Sequence, residues 1–298
     1  MKKIGTIIIL SICLNTGFSQ TTTAESSLKT QKTDLSDGWN KGGVINFNIS
    51  QVALKNWAAG GEGSVATNGL LSVFAHYKKG SVIWENYFDI AYGVIKQGEN
   101  ADWKKTDDKI DITSKYGKQA FSNWYYAGLL NFKTQMTAGY NYPDVTTEIS
   151  NLFAPAYVLG AIGLDYKAGD KFSAFIAPLT LKTTIVNDQA LADAAAFGVD
   201  AGEHIKNEIG GYLRLFYKED IMENITLQSK LDLFSNYLEN PEFVDVNLEV
   251  LLAMKINKYI SASLAAQLIY DHDIVMEGET KAKTQFKEVL GVGISYKI

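Results

Sequence analysis

The sequence is poor in the residues from which metal centres, disulfide frameworks and most catalytic sites are built. Its 298 residues hold one cysteine, three histidines and four prolines. The cysteine, Cys13, sits in an apolar N-terminal run, so a chain cut after that run has no thiol for a disulfide or a zinc site. Ile12 precedes it where a lipoprotein cleavage site needs a small residue, so lipidation is not expected. The histidines, His76, His204 and His272, lie far apart in sequence. No metal site and no cofactor is expected. No run approaches the roughly 18 apolar residues of a spanning helix, which excludes a helical membrane protein. The net charge is -5 with both signs scattered evenly, so no basic patch offers itself to nucleic acid. Overall hydropathy is close to neutral. That is also the average of a strand with one apolar and one polar face.

The chain is rich instead in glycine (25), tyrosine (16) and phenylalanine (14). Its clearest pattern is the last stretch, Glu288 to Ile298. Leu290, Val292, Ile294, Tyr296 and Ile298 fall on one side of an extended strand, and Gly291, Gly293, Ser295 and Lys297 on the other. Side chains of a strand alternate with period two, so one face wants an apolar medium and the other tolerates water. Large residues outward and glycines inward invert the usual soluble barrel. A terminal strand of this kind closes outer-membrane β-barrels on their first strand, which predicts outer-membrane lipid and the assembly machinery as partners.

About twelve such segments are expected from Gly42 onward, each long enough for the roughly 9 to 11 tilted residues that cross a bilayer. Ile45, Phe47 and Ile49 alternate with Asn46, Asn48 and Ser50; Trp84, Phe88, Ile90 and Tyr92 oppose Glu85 and Asp89. Leu130 and Phe132 oppose Lys133 and Gln135; Leu227, Leu231 and Leu233 oppose Gln228, Lys230 and Asp232. Val244 to Ile256 sets seven apolar residues against Asp245, Asn247, Glu249 and Lys255. In the segment from Phe172 to Val186, Pro178 removes a ladder donor, so a bulge or kink is expected and the inward face stays unassigned.

The connections carry a second regularity. Short ones, such as those at Lys78 to Gly80 and Lys167 to Asp170, alternate with long ones, such as Ala53 to Gly63, Gly139 to Phe153 and Asn187 to Lys206; Leu238 to Glu242 is a short exception. Outer-membrane barrels place short turns in the periplasm and long loops outside. Tyr77, Trp84, Trp124, Tyr166, Tyr217, Tyr259 and Tyr296 lie beside the short turns, where an interfacial girdle belongs. The expected organisation is a signal peptide over 1–19, a flexible periplasmic arm over 20–41 and a single all-β, antiparallel transmembrane β-barrel over 42–298. A charged start at Lys2 and Lys3, an apolar run from Ile4 to Leu14 and small residues at Gly17 and Ser19 carry the signal assignment.

The segment Ile49-Ser50-Gln51-Val52-Ala53-Leu54-Lys55-Asn56-Trp57-Ala58-Ala59-Gly60-Gly61-Glu62 resembles the opening of an uncharacterised outer-membrane family of Bacteroidetes, domain of unknown function three thousand and seventy-eight. Trp103 to Lys109, Asn141-Tyr142-Pro143, Ala177-Pro178 and Ile185 to Gln189 are similar to further blocks of that family. The resemblance implies a barrel in the outer membrane and no particular activity.

Candidate chemistry is sparse. The His and Ser two residues apart that barrel phospholipases carry has no counterpart here, and no enzyme is expected. Asp107, Asp108 and Asp111, and Asp271-His272-Asp273, form acidic clusters that read first as solvated loop rims and second as oxygen ligands for a divalent cation. The loop motif Asn56, Trp57, Gly60, Gly61 and Glu62 is a candidate plug, with Trp57 as its anchor. The inward polar residues are the expected pore lining: Asn46, Asn48, Glu85, Asp89, Lys133, Gln135, Arg214, Lys230, Asp232, Asp245, Asn247, Glu249 and Lys255. Their mixed signs fit two outcomes. One is a narrow channel or binding protein for small polar solutes. The other is a lumen closed by paired charges, with Ala190 to Gly202 as a short helical outer loop and the barrel serving as an accessory subunit of an envelope complex.

Overall fold

The computed structural model describes residues 35–55, 58–257, 260–275 and 279–297. The expected signal, most of the expected arm, Asn56, Trp57 and Tyr259 lie outside the described residues, and the side chain of Tyr296 does too. The strands are β1 (Gly38–Val52), β2 (Ser64–Lys79), β3 (Val82–Gln97), β4 (Lys104–Phe121), β5 (Trp124–Thr134), β6 (Gly139–Tyr140), β7 (Glu148–Ser150), β8 (Ala156–Ala168), β9 (Phe172–Ile185), β10 (Ile205–Met222), β11 (Ile225–Asn236), β12 (Val244–Lys255), β13 (Ile260–Tyr270) and β14 (Gln285–Lys297). Among the described residues twelve of them form one closed antiparallel barrel, and β6 pairs with β7 inside the loop between β5 and β8. Each barrel strand pairs with its neighbours in sequence, and the barrel closes where Asn46 of β1 meets Ser295 of β14 and Phe47 meets Ile294.

The alternation read from the sequence is the alternation of the wall. Phe47, Ile49, Leu130, Ile162, Leu179 and Leu290 stand exposed on the outer face. Asn46, Asn48, Glu85 and Asp89, each at most 4% exposed, stand on the inner one. The first strand starts at Gly38, four residues before the expected Gly42, so residues 38–41 of the expected arm belong to the wall. Gly38 to Lys41 look like arm by composition, but Lys78 to Ala75 of β2 offer them an open ladder edge. Trp39 adds ring contacts to Tyr77 at 5.3 Å and Trp84 at 5.7 Å.

Pro178 marks the bulge expected of it. On the β8 side Ile162 pairs with Leu179 and Leu164 with Ile176, so Gly163 alone opposes two residues. On the β10 side Gly210 pairs with Thr180 and Tyr212 with Ala177, so Gly211 does the same. The extra residue inverts the parity of β9. Ser173, Phe175 and Ala177 face inward before it; Thr180 and Thr184 face inward after it, while Ile176, Leu179 and Leu181 stay outside. No single face can therefore be drawn for this segment from a period of two. Glycine is required at 163, where a Cβ would lie 2.0 Å from the Ile176 carbonyl oxygen.

The long loops build a small core of their own. Asp188 caps a short helix, α1 (Gln189–Asp193), by accepting from the Leu191 amide at 3.0 Å. A 3-10 turn over Ala196–Gly198 follows. Val186, Leu191, Ala192 and Val199 bury against Ala154 of the β7–β8 connection. Gly198 approaches Asp273 of the β13–β14 loop, where a Cβ would lie 3.0 Å from the aspartate's own. Three long loops therefore meet at one end of the barrel.

Candidate functional site in the barrel lumen

The lumen has two unlike halves. Ala127 and Leu129 of β5, Ala161 of β8, Phe175 and Ala177 of β9, Tyr212 of β10 and Phe234 of β11 form one buried apolar cluster that fills the side bounded by these strands. The other side is walled by β1 to β4 and β12 to β14, whose inward residues are more often polar, with Leu70, Phe74, Tyr87 and Leu251 set among them. Asn46, Asn48, Ser72, Ser261 and Ser263 are buried there. Gly293 leaves the space that Asn48 occupies, since a Cβ on it would meet the Asn48 amide oxygen at 1.5 Å.

Ion pairs cross the lumen between strands that are not neighbours. Near the short turns Lys167 of β8 reaches Glu85 of β3 at 2.7 Å, and Lys115 of β4 reaches Glu85 at 3.3 Å and Asp165 of β8 at 2.8 Å. These four side chains are at most 11% exposed. Near the long loops Lys182 of β9 lies 2.7 Å from Asp245 of β12, 3.2 Å from Asp271 beyond β13 and 3.2 Å from Glu208 of β10. Lys287 of β14 reaches Asp107 of β4 at 3.2 Å. Between these levels Arg214 holds Asp232 through Nε at 2.6 Å and Nη2 at 3.2 Å, and Tyr212 donates to the same carboxylate at 2.7 Å. Lys230 pairs with Glu249 at 2.6 Å, Gln267 donates to Asn247 at 3.0 Å, and Ser72 donates to Asp89. Buried charges demand such partners, because an unpaired one forfeits its hydration without return.

Eleven of the thirteen expected lining residues therefore stand on the inner face, Lys133 among them, 4.0 Å from Asp111. Two stand elsewhere. Gln135 lies one residue past β5, and its amide donates to the carbonyls of Asn151 at 3.3 Å and Ala154 at 3.1 Å, which ties down the β7–β8 connection. Lys255 ends β12 beside a short turn and is exposed. Of the candidate plug motif, Gly60, Gly61 and Glu62 are exposed on the loop after β1. Lys115, Asp165, Lys167 and His76 also stand on the inner face, beyond the expected lining. Charge at inward parity is the signal that marks the first three, but Lys167 falls in an expected short turn. His76 is buried between the rings of Phe74 at 4.8 Å and Tyr87 at 4.9 Å.

The acidic clusters are taken up by protein partners. Asp108 receives the amides of Met136 at 2.8 Å and Thr137 at 2.9 Å together with Lys105 at 3.0 Å. Asp273 receives Lys206 at 2.6 Å. Among the described residues no group of three or more His, Cys, Asp and Glu is placed to hold a metal ion. His272 stacks on Phe243 at 3.7 Å, and His204 Nδ1 lies 2.6 Å from the Val186 carbonyl oxygen. In the loop between β6 and β7, Asp144 accepts from the Thr146 hydroxyl at 2.7 Å, the Thr146 amide at 2.8 Å and the Thr147 amide at 3.4 Å. These bonds hold its carboxyl below the usual carboxylate range, the Thr146 hydroxyl most of all.

Among the described residues, cavities remain inside. One of about 80 Å³ is lined from β2 to β4 by Leu70, Asp89, Asp107 and Lys109, and from β11 to β14 by Gln228, Glu249, Ala265, Gln267 and Lys287. Another, about 70 Å³, lies between Tyr87, Asp89, Asp111, Arg214, Phe216 and Lys230. Asp89 is common to both.

A family model described as "Protein of unknown function (DUF3078)" matches residues 49–140, the part of the chain that carries the Asn-Trp-Ala-Ala-Gly-Gly and Trp-Lys-Lys-Thr-Asp-Asp blocks. Solved structures similar to this chain include a NanC porin in a rhombohedral crystal form, with TM-score 0.41, 11% identity, and coverage of 86% of this chain and 100% of that one. The COG4313 outer membrane channel from Pseudomonas putida F1 gives TM-score 0.41 and 11% identity over 89% of this chain and 97% of that one. The translocator domain of the autotransporter NalP from Neisseria meningitidis gives 0.38 and 9% over 89% and 90%. No curated protein matches the chain.

Proposed function

We propose that this chain is an outer-membrane β-barrel closed at rest by its own side chains, and that it works through its outer loops as a non-catalytic accessory subunit of the envelope. The wall supports the membrane part of the reading. Ile45, Phe47, Ile49, Leu130, Ile162, Leu290 and Val292 present at least half of their surface outward, a cost in water and a gain in lipid. Outer-membrane lipid and, through β14, the barrel-assembly machinery are its expected partners. The observation that carries the closed state is the set of ion pairs spanning non-adjacent strands, Lys167 with Glu85 at one end and Lys182 with Asp245 and Asp271 at the other. Barrels of 16 to 18 strands keep an aqueous channel, and small ones fill with side chains. A solute passing this lumen has to part both sets and pass Phe175, Tyr212 and Phe234.

The loops then become the working surface. Tyr237, Leu238 and Phe243 between β11 and β12, and Val275 between β13 and β14, are exposed apolar residues at the end where α1 packs. The test is single-channel recording of the full chain refolded into a planar bilayer. A heat-modifiable, folded barrel without steady conductance is the expected result, and steady ohmic conductance of the wild type overturns the reading in favour of solute passage.

A further inference from the structure

We infer that the larger lumen cavity is a binding site for a small zwitterion of the free amino-acid type, one carrying an ammonium and a carboxylate on adjacent atoms. The site goes beyond the loop-based reading and stands whether or not the barrel conducts. Its first support is an orphan. Gln228 is 6% exposed, lines the cavity, and its amide oxygen is buried without a hydrogen-bond partner. A buried acceptor left unmade costs about 1 to 3 kcal/mol, so a donor is called for at this point. A second buried amide oxygen without a partner, that of Asn68, lies beside Asp107, whose carboxylate the Asn68 Nδ2 approaches at 3.5 Å.

The second support is the charge of the lining. Asp89, Asp107, Glu249, Lys109 and Lys287 line a space of about 80 Å³, with Lys287 holding Asp107 at 3.2 Å and Glu249 holding Lys230 at 2.6 Å at its edge. Either kind of simple ion would meet its own sign within that space. A zwitterion meets both: its ammonium has carboxylates and the Gln228 carbonyl to donate to, and its carboxylate has the two lysines. Apolar wall is given by Leu70 and Ala265, enough for a hydrogen or a methyl side chain but not for a long one. The volume holds about five to eight water-sized groups, which is the size of glycine or alanine.

The sequence makes the space. Ala91 of β3 and Ala265 of β13 line it with short side chains, whereas Phe175, Tyr212 and Phe234 fill the other half.

The test is isothermal titration of the full chain, refolded in lipid nanodiscs, with glycine and L-alanine, and with methylammonium and acetate as single-charge probes. Two variants accompany the wild type: Gln228→Leu removes the orphan acceptor, and Ala265→Leu fills the cavity while leaving every charge in place. The expected result is saturable binding of glycine or L-alanine at least tenfold tighter than of either single-charge probe, weakened at least tenfold in both variants, with heat-modifiable mobility unchanged. Three outcomes overturn the proposal. They are no saturable binding by the folded wild type, which makes the cavity a water site; equal binding of methylammonium or acetate; and unchanged binding in folded Ala265→Leu.

Discussion

Lys167 and Glu85 meet at 2.7 Å although β4 and β5 stand between their strands, so the contact runs across the lumen rather than along the wall. Lys115 and Asp165 complete the group, and all four side chains are nearly removed from water. Removal of one member of a buried ion pair leaves an uncompensated charge. Lys167→Met is expected to cost about 3 to 5 kcal/mol. Lys167→Met with Glu85→Leu is expected to recover most but not all of this, because Lys115 and Asp165 keep each other at 2.8 Å while Lys115 loses Glu85 and Asp165 loses Lys167. Urea unfolding in phospholipid vesicles measures both; a wild-type midpoint for the single variant contradicts the cross-lumen assignment.

The wall makes a second prediction. Leu130→Arg places a charge on the outer face of β5, where leucine is 56% exposed. In lipid such a change near the bilayer midplane costs about 2 to 4 kcal/mol. On a water-facing wall it would cost about 0.5 kcal/mol or less. The same unfolding assay separates the two media.

Gly163→Ala should be among the most damaging small substitutions in the chain. Its methyl would lie 2.0 Å from one carbonyl oxygen and 2.6 Å from the Ala177 Cα, and backbone cannot give way as a side chain can. Overpacking of this kind costs about 3 kcal/mol. Gly128→Ala is the control, since nothing lies within 4 Å of the methyl it adds. The folded, heat-modifiable fraction after refolding should drop for the first and stay unchanged for the second.

The turn at Asp144 carries a pH prediction. Its carboxyl is held below the usual range by Thr146 and Thr147, so its contribution to the turn is present above the unfolded value, near about 4, and fades only as pH falls through the depressed folded value. Limited proteolysis of residues 141–147 should therefore be equally slow at pH 7 and pH 5. Asp144→Asn should be cut faster at both.

Which parts of this were legible follows from what a period of two can carry. β1, β3, β11 and β12 alternate cleanly, and their described side chains sit on the faces the alternation assigns, Lys255 at the end of β12 excepted; in β14 the same holds for Leu290 to Gly293. β9 was illegible because Pro178 changes parity halfway, a fact that depends on Gly163 and Gly211 in the neighbouring strands. The pair β6 and β7, of two and three residues, is shorter than any pattern can mark. Alternation also says that Glu85 faces inward but not what it meets. Its partner Lys167 is 82 residues away on a strand three places round the barrel, and only closure brings the two together. Arg214 with Asp232, and Lys230 with Glu249, lie on adjacent strands, and their opposite charges at inward parity were visible beforehand. The two halves of the lumen are not, because alternation carries the polarity of a face and not the volume of the side chains on it.

The bulge at Pro178 also changes how insertions and deletions should be read in this part of the chain. A strand that counts evenly loses its sidedness when one residue is removed, but β9 already counts unevenly. Deleting a single residue at 178 or 179 would restore regular pairing and leave Phe175 and Ala177, and Thr180, Lys182 and Thr184 after them, on the inner face they already hold. A single deletion elsewhere in β9 would instead turn one side of the strand over, and a charged or aromatic residue would change medium without any substitution. When related chains are aligned, a one-residue gap at 178 or 179 therefore marks only a lost bulge, one elsewhere inside β9 marks a wall rebuilt on one side of the gap, and a gap beyond Ile185 marks a loop of another length.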